Sequence, residues 1–299
     1  MTQTSKTILF FGTDTFSAAS LRELIARGFT IGAVITKPDS RKGRGRHLLK
    51  PIVKEIAETN NIPVWQPETT KELTALMEEF LISNEKPLGV LVSYGKIIPQ
   101  TVIDAFEPGI VNVHPSLLPR YRGPSPIETA ILNGDSKTGI TIMQLSAAMD
   151  AGPIYTQLTV PLLDTETLPE LEEQLAEFGA RELASTLPSI IDGSLQPTPQ
   201  DDDKATYCQL LSKDNSTLDT EALTAQQAER QVRAYLAFPK TKTTVAGHTI
   251  VITKAHVTNT HNSPLDLRCA DGNYLTIDEL IGPSGKAMTA ASFMNGYVK

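Results

Sequence analysis

Short apolar runs alternate with helical patterns through the first half of the chain. "TILFFG" has the length and composition of a fully buried strand. In "SLRELIARG", Leu21, Leu24 and Ile25 share one helical face and Gly28 supplies the C-terminal stop. "TIGAVIT" is the next strand, followed by a helix from Pro51 to Thr59, a short strand at "PVW" and a helix at "KELTALMEEFLI". "LGVLVSYG" and "GIVNVH" are strands flanking a short helix at "PQTVIDAF". Continuous apolar strands separated by helices predict an α/β fold: a Rossmann-like, mostly parallel sheet with helices on both faces. "TGITIMQL" and "PIYTQLTVPL" add two strands, the second alternating as an edge strand would, and "LPELEEQLAEFGARELASTLPSIIDG" reads as one long helix.

The pattern changes at "GSLQPTPQDDDKAT", where Pro, Ser, Gln and three consecutive Asp give a solvated linker. Beyond it, the helical "TAQQAERQVRAYLAF" precedes two strand pairs with turns at Ala246-Gly247-His248 and Asp271-Gly272-Asn273, then a short tail. The expected organisation is a catalytic domain over 1–192, a linker over 193–206 and a smaller C-terminal β-barrel domain, OB-like, over 207–299. No internal repeat is present.

Length and composition fit two ordinary globular domains: 299 residues, 40% hydrophobic and 20% charged. No apolar stretch is long enough for a membrane span, and "MTQTSK" passes straight into a strand without the segment of a signal peptide. Cys208 and Cys269 lack metal or redox spacing and read as structural thiols of a reduced, cytoplasmic protein. The net charge of −7 argues against a polyanionic partner, but its distribution changes that picture. Between Lys37 and Lys54, the basic residues Lys37, Arg41, Lys42, Arg44, Arg46, Lys50 and Lys54 face the single acid Asp39. Such a run is either a solvated loop or an anion-binding patch.

The most informative stretch is "VNVHPSLLPRYRGPSPIETAILNGD". In an extended strand, positions 112 and 114 point to one face, so Asn112 and His114 emerge together where the strand ends. Pro115 and Pro119 then force an irregular loop. Carboxyl ends of strands are where open α/β sheets hold ligands. An Asn amide can donate to a developing oxyanion, and an imidazole can donate to it or move a proton. A carboxylate should complete the group, and Asp150 in "AAMDAGPI" lies in the loop after the "TGITIMQL" strand. Asp135 competes, although "LNGD" reads as a helix stop. Taken alone, Asn112 as a turn former and His114 as a strand-end residue are adequate structural readings. Their pairing with a Pro-broken loop and a downstream Asp favours chemistry.

"NVHPSLLPRYRG" and "MDAGPI" resemble the Asn-x-His, Ser-Leu-Leu-Pro and aspartate-loop motifs of the 10-formyltetrahydrofolate-dependent formyltransferase family. The likeness extends through "FFGTDTFSAASLRELI", "TKPDSRKGRGRHLLKPIVKEIA", "DDDKATYCQLLSKDNSTLD", "QVRAYLAFP" and "GPSGKAMTAASFMNGY", covering nearly the whole chain in the manner of the family's tRNA-acting members. The resemblance implies a transferase moving a formyl group from 10-formyltetrahydrofolate, the co-substrate, to the α-amine of initiator methionyl-tRNA. It implies Asn112, His114 and Asp150 as the catalytic group and Ser116, Leu117, Leu118 and Pro119 as folate-binding residues. It also implies that Arg44 in the basic loop touches tRNA, and Arg41, Lys42 and Arg46 beside it are expected to bind tRNA as well. No metal is expected, and the protein is expected to be a monomer acting in the cytoplasm. Two departures stand out. Asp14 occupies a position where the family commonly has Pro, and Trp65 is the only Trp, so the family's Trp residues in the C-terminal part are missing. Trp65 is expected in the core.

Other readings remain. A nicotinamide enzyme would need GxGxxG, which "FFGTDTFSA" lacks. A formyltransferase for a ribonucleotide or amino-sugar amine would share the Asn-x-His stretch but need neither the basic loop nor a second domain. A non-catalytic RNA-binding protein on the same frame would have no use for an intact Asn112, His114 and Asp150.

Overall fold

A computed structural model describes residues 6–42 and 47–298. In chain order the elements are β1 (Ile8–Gly12), α1 (Thr15–Ala26), β2 (Ile31–Ile35), β3 (Ser40–Lys42), β4 (His47–Leu49), α2 (Ile52–Thr59), β5 (Val64–Trp65), α3 (Thr70–Ser83), β6 (Leu88–Val92), α4 (Gln100–Ile103) and β7 (Ile110–His114). Then come α5 (Pro126–Asn133), β8 (Lys137–Gln144), β9 (Ile154–Pro161), α6 (Leu168–Ile191), α7 (Ala225–Ala234), β10 (Thr241–Val245), β11 (His248–Thr258), β12 (Asp266–Arg268), β13 (Tyr274–Ile281), β14 (Ala287–Thr289) and α8 (Ala290–Tyr297). Two compact units result. The first comprises 1–122, 139–160 and 173–207, and the second 123–138, 161–172 and 208–299.

The first unit is built on a seven-stranded sheet of order β5-β2-β1-β6-β7-β8-β9. The pairs β1–β2, β1–β6, β2–β5 and β6–β7 are parallel, and β7–β8 is antiparallel. This is the mostly parallel α/β sheet that the apolar runs predicted, with β9 at an edge. Every residue of β1 is buried, as a strand covered on both faces requires. Leu9 and Phe11 pack with Met77 of α3 and Val102 of α4, while Ile8 and Phe10 face the opposite side. Trp65 is half-buried and meets Phe80 edge-to-face, ring centroids 5.8 Å apart. Asp14, the departure from the family pattern, caps α1: its carboxylate accepts from the Ser17 N–H at 3.1 Å. Gly28 ends that helix in the left-handed region, φ +79°, as its place in the sequence demands.

The basic stretch holds a β3–β4 hairpin that the sequence pattern did not suggest. Arg41 and Lys42 belong to β3, whereas Arg44 and Arg46 lie outside the described residues.

In the second unit, β10, β11, β13, β12 and β14 form a five-stranded antiparallel sheet. Its core joins Ala228 and Val232 of α7 to Ile250, Ile252, Leu275, Ile277 and Leu280 of the strands and Phe293 of α8. The C-terminal "tail" is therefore a strand and a helix that close this core. Thr224 and Gln227 form a capping box at the start of α7. Asp164, in the left-handed region at φ +60°, accepts from Arg230 and Arg233 of α7. "LNGD" stops α5 as expected, with Gly134 as its left-handed cap. Cys208 and Cys269 are buried thiols, and the Cys208 sulfur accepts from the Ser125 N–H at 3.3 Å.

Candidate active site

The site grows from the carboxyl end of β7. Asn112 and His114, two residues apart, share one face of the strand, and each is 5% exposed. Register sets their neighbours: Asn112 lies opposite Leu91 of β6 and Met143 of β8, and His114 opposite Thr141. Among the described residues the Asn112 carboxamide makes no hydrogen bond. The residue is nearly buried, but its amide atoms keep some access to solvent at the strand end.

His114 is held differently. Its Nε2 lies 2.9 Å from the Tyr121 carbonyl oxygen. A carbonyl only accepts, so Nε2 carries the hydrogen. Nδ1 is therefore the nitrogen available for chemistry, and it faces the Asp150 Oδ1 at 3.7 Å. That is ion-pair range, longer than a hydrogen bond. Pairs of this kind commonly tighten once substrate is bound.

The loop after His114 presents the Tyr121 carbonyl. Ser116 is fully buried; its N–H donates to the His114 carbonyl at 2.9 Å and its hydroxyl to the Arg120 carbonyl at 2.6 Å. Thr141 donates to the Ser116 carbonyl at 2.6 Å and accepts from the Leu118 N–H at 3.2 Å. Gln157 donates to the Leu118 carbonyl at 2.8 Å and to Thr141 at 2.9 Å. Leu118 is buried, while Leu117 and Pro119 are half-exposed. Of the four residues assigned to folate, Ser116 and Leu118 thus point inward and hold the loop, and Leu117 and Pro119 retain accessible surface.

Asp150 sits in the β8–β9 loop with φ +48°, a left-handed conformation that Asp tolerates better than most residues. Two residues on, a Cβ on Gly152 would stand 1.9 Å from the Gln144 carbonyl oxygen. Only glycine fits against that backbone. At the neighbouring strand ends, the Thr13 hydroxyl donates to the Tyr94 carbonyl at 3.0 Å and Ser93 hydrogen-bonds Asp14. Burial pushes the Tyr94 hydroxyl up to about 12, so it stays neutral. A separate concavity beside β5, lined by Trp65, Pro67, Leu76 and Glu79, contains none of the expected site residues.

The sequence reasoning missed the supporting side chains Thr141, Gln157, Arg122, Gln200 and Thr206. The last two lie in 193–206, the stretch read as a linker. That stretch is part of the first unit: Thr198 and Ile154 exchange two backbone hydrogen bonds of 2.8 Å, and Thr206 N–H donates to the Pro119 carbonyl at 3.1 Å. Nothing in its polar composition distinguishes an ordered strap from a solvated tether.

Asn112 and His114 at the end of β7 thus come together with Asp150 of the β8–β9 loop, and comparison with known proteins gives the class of the protein. The chain matches the Formyl transferase family over residues 6–187 and the Formyl transferase C-terminal domain over 210–298, and it belongs to that family. It is 36% identical to the methionyl-tRNA formyltransferase of Pelobacter propionicus, covering 98% of this chain and 93% of the relative. Identity to the enzyme of the same name from Stutzerimonas stutzeri is 37%, covering 96% and 94%. Within the family, the chain belongs with the methionyl-tRNA formyltransferases. Among solved structures, a sugar 3N-formyl transferase, WlaRD, shares the fold with a TM-score of 0.69 at 20% identity, over 91% of this chain and 97% of that one. Phosphoribosylglycinamide formyltransferase from Streptococcus pneumoniae aligns at 26% identity with a TM-score of 0.51, over 62% of this chain and 98% of that one.

Proposed function

We propose that the protein transfers the formyl group of 10-formyltetrahydrofolate to the α-amine of initiator methionyl-tRNA, acting as a monomer in the cytoplasm. The observation that carries this reading is Asn112, whose carboxamide makes no hydrogen bond among the described residues, beside His114, whose Nδ1 faces Asp150. An α-amine with an ordinary pKa of about 7.7–8.0 is partly neutral near pH 7 and needs only modest help from a base. Its nitrogen attacks the formyl carbon, and the carbonyl oxygen becomes an oxyanion. The Asn112 N–H stabilises that charge, as does His114 when Nδ1 carries a proton. Asp150 orients His114 and accepts the proton shed by the amine. Collapse breaks the bond from carbon to N10 of the folate, and N10 takes up a proton. The products are formylmethionyl-tRNA and tetrahydrofolate, with no covalent enzyme intermediate.

In this reading residues 1–192 carry the chemistry and 207–299 form a tRNA-binding domain. The folate lies along Leu117 and Pro119, in a loop held from beneath by Ser116 and Leu118. Arg41, Lys42, Arg44 and Arg46 engage the acceptor end of the tRNA, where a guanidinium can bind phosphate with two parallel donors.

The test is formyl transfer from 10-formyltetrahydrofolate to initiator methionyl-tRNA, with elongator methionyl-tRNA and an amino-sugar nucleotide as competing acceptors. His114→Ala and Asp150→Ala should each lose about 10²–10⁴ in rate while remaining folded. Turnover of the amino sugar alone, or a folded variant of either kind keeping more than about a tenth of wild-type kcat, overturns the assignment.

A further inference from the structure

We propose that Gln200 is a positioning residue for the Asp150–His114 pair; this rests on the catalytic roles proposed above. Its carboxamide uses every hydrogen-bonding position it has. Nε2 donates to the Asp150 carbonyl at 2.8 Å and to the Gly152 carbonyl at 2.7 Å. Oε1 accepts from Arg122 Nε at 3.1 Å and Nη2 at 2.8 Å. Two donors and two lone pairs are thus satisfied, and a flipped amide would set oxygen against two carbonyls and nitrogen against a guanidinium. The orientation has one solution.

What the amide joins explains its purpose. Arg122 is 2% exposed and follows Tyr121, whose carbonyl accepts the Nε2 hydrogen of His114. On the other side is the backbone of Asp150 itself, held at φ +48°. A non-glycine residue in that conformation costs about 1–2 kcal/mol and persists only where its surroundings over-determine it. Gln200 thereby ties the anchor of the His to the loop that carries the Asp, and their relative placement depends on it. Thr206 supports the same arrangement: its hydroxyl accepts from the Tyr121 N–H at 2.9 Å and its carbonyl from the Arg122 N–H at 2.9 Å. The Asp202 carboxylate accepts from Arg122 at 2.7 Å from an exposed position and touches neither loop carbonyl.

The experiment compares Gln200→Glu, Gln200→Ala and Asp202→Ala, with His114→Ala in parallel, by steady-state formyl transfer across pH and by thermal melting. Gln200→Glu keeps the length and the acceptor for Arg122 but sets a carboxylate oxygen against two carbonyls. It should lower kcat about ten- to a hundred-fold, the scale of an ångström-sized misplacement of a catalytic group. KM for 10-formyltetrahydrofolate and for methionyl-tRNA should stay within about two-fold, and the pH profile of kcat should shift. Asp202→Ala should keep kcat within about two-fold, as expected when only an exposed pair is removed. Should Gln200→Ala fail to fold, Gln200→Glu carries the test. If the Gln200 variants melt lower but turn over with wild-type kcat and pH profile, Gln200 is only structural and the inference falls. An equal loss in Asp202→Ala and Gln200→Glu would place the effect in the charge balance of Arg122 and also overturn it. If His114→Ala keeps its activity, the catalytic reading has failed, and the inference with it. An inactive His114→Ala beside a wild-type Gln200→Glu removes the inference alone.

Discussion

Asn112 offers the sharpest test, because its side chain can be removed without breaking any hydrogen bond among the described residues. Asn112→Ala deletes a nearly buried amide that has no partner among the described residues. No hydrogen bond among the described residues is lost, so the variant should melt close to the wild-type temperature. Its activity should fall by about 10²–10³, or 2.7–4 kcal/mol, the usual cost of removing one oxyanion donor. Asn112→Asp has the same shape and the opposite charge logic. A carboxylate there faces the developing oxyanion, and two like charges about 4 Å apart repel by about 4 kcal/mol at an effective dielectric of about 20. That is a further factor of about 10³ below alanine. Burial raises the pKa of the introduced carboxyl. As pH falls, the protonated acid becomes an O–H donor and the deficit relative to wild type should narrow. The stability sign is fixed by the same shift. An acid with a raised folded pKa leaves the variant most stable below its unfolded value, and stability is lost as pH rises towards the folded one. The assay is single-turnover formyl transfer from pH 5.5 to 8, with melting curves over the same range. Equal rates for alanine and aspartate, or a melting temperature for Asn112→Ala several degrees below wild type, would mean that Asn112 holds the loop and never meets the oxyanion.

Replacing Arg41, Arg44 and Arg46 together should weaken tRNA binding and flatten its log–log salt dependence by roughly one unit for each phosphate no longer neutralised, with folate affinity unchanged; an unchanged slope by filter binding rejects the role of the basic loop. Gly152→Ala forces a Cβ against the Gln144 carbonyl; about 1–3 kcal/mol of stability should go, and turnover should fall further than KM rises, read by melting and kinetics. Hydrogen bonds from Arg230, and then from Arg233, hold the Asp164 carboxyl below its usual range. A depressed acid stabilises at neutral pH and loses that contribution as pH falls through its folded value. Asp164→Asn should therefore cost about 1–3 kcal/mol at pH 7, discounted for the one-third exposure of that side chain, and the gap to wild type should close in acid; a gap independent of pH refutes the pairing.

The parallel half of the fold was legible because β1, β2, β6 and β7 are buried on both faces, and such strands are continuous apolar runs. The α1 helix was equally plain, with its Leu21 and Leu24 stripe and its Gly28 stop. Elements whose partners lie far along the chain were not. The β3–β4 hairpin hides in a basic stretch without apolar alternation, and β14 and α8 are short pieces that gain order only by closing the core around Phe293. Propensity over three to eight residues does not compete with tertiary burial at that length.

The candidate site was legible in part. Asn112 and His114 stand out as a polar pair two residues apart at the end of an apolar strand. Asp150 follows from the next strand-end loop. What the sequence could not reveal is which nitrogen of His114 faces the carboxylate, since the Tyr121 carbonyl that decides it is a backbone group with no residue signature. Nor could it separate Gln200 and Thr206 from solvent-facing neighbours. A polar side chain that satisfies buried carbonyls and one that satisfies water have the same composition, and only the fold says which it meets. Within "GSLQPTPQDDDKAT", Gln200 and Thr206 answer the backbone of two irregular loops, whereas Asp201 and Lys204 pair with each other in solvent. The polarity that reads as absence of structure is, at Gln200 and Thr206, the means by which the His and Asp loops are held in register.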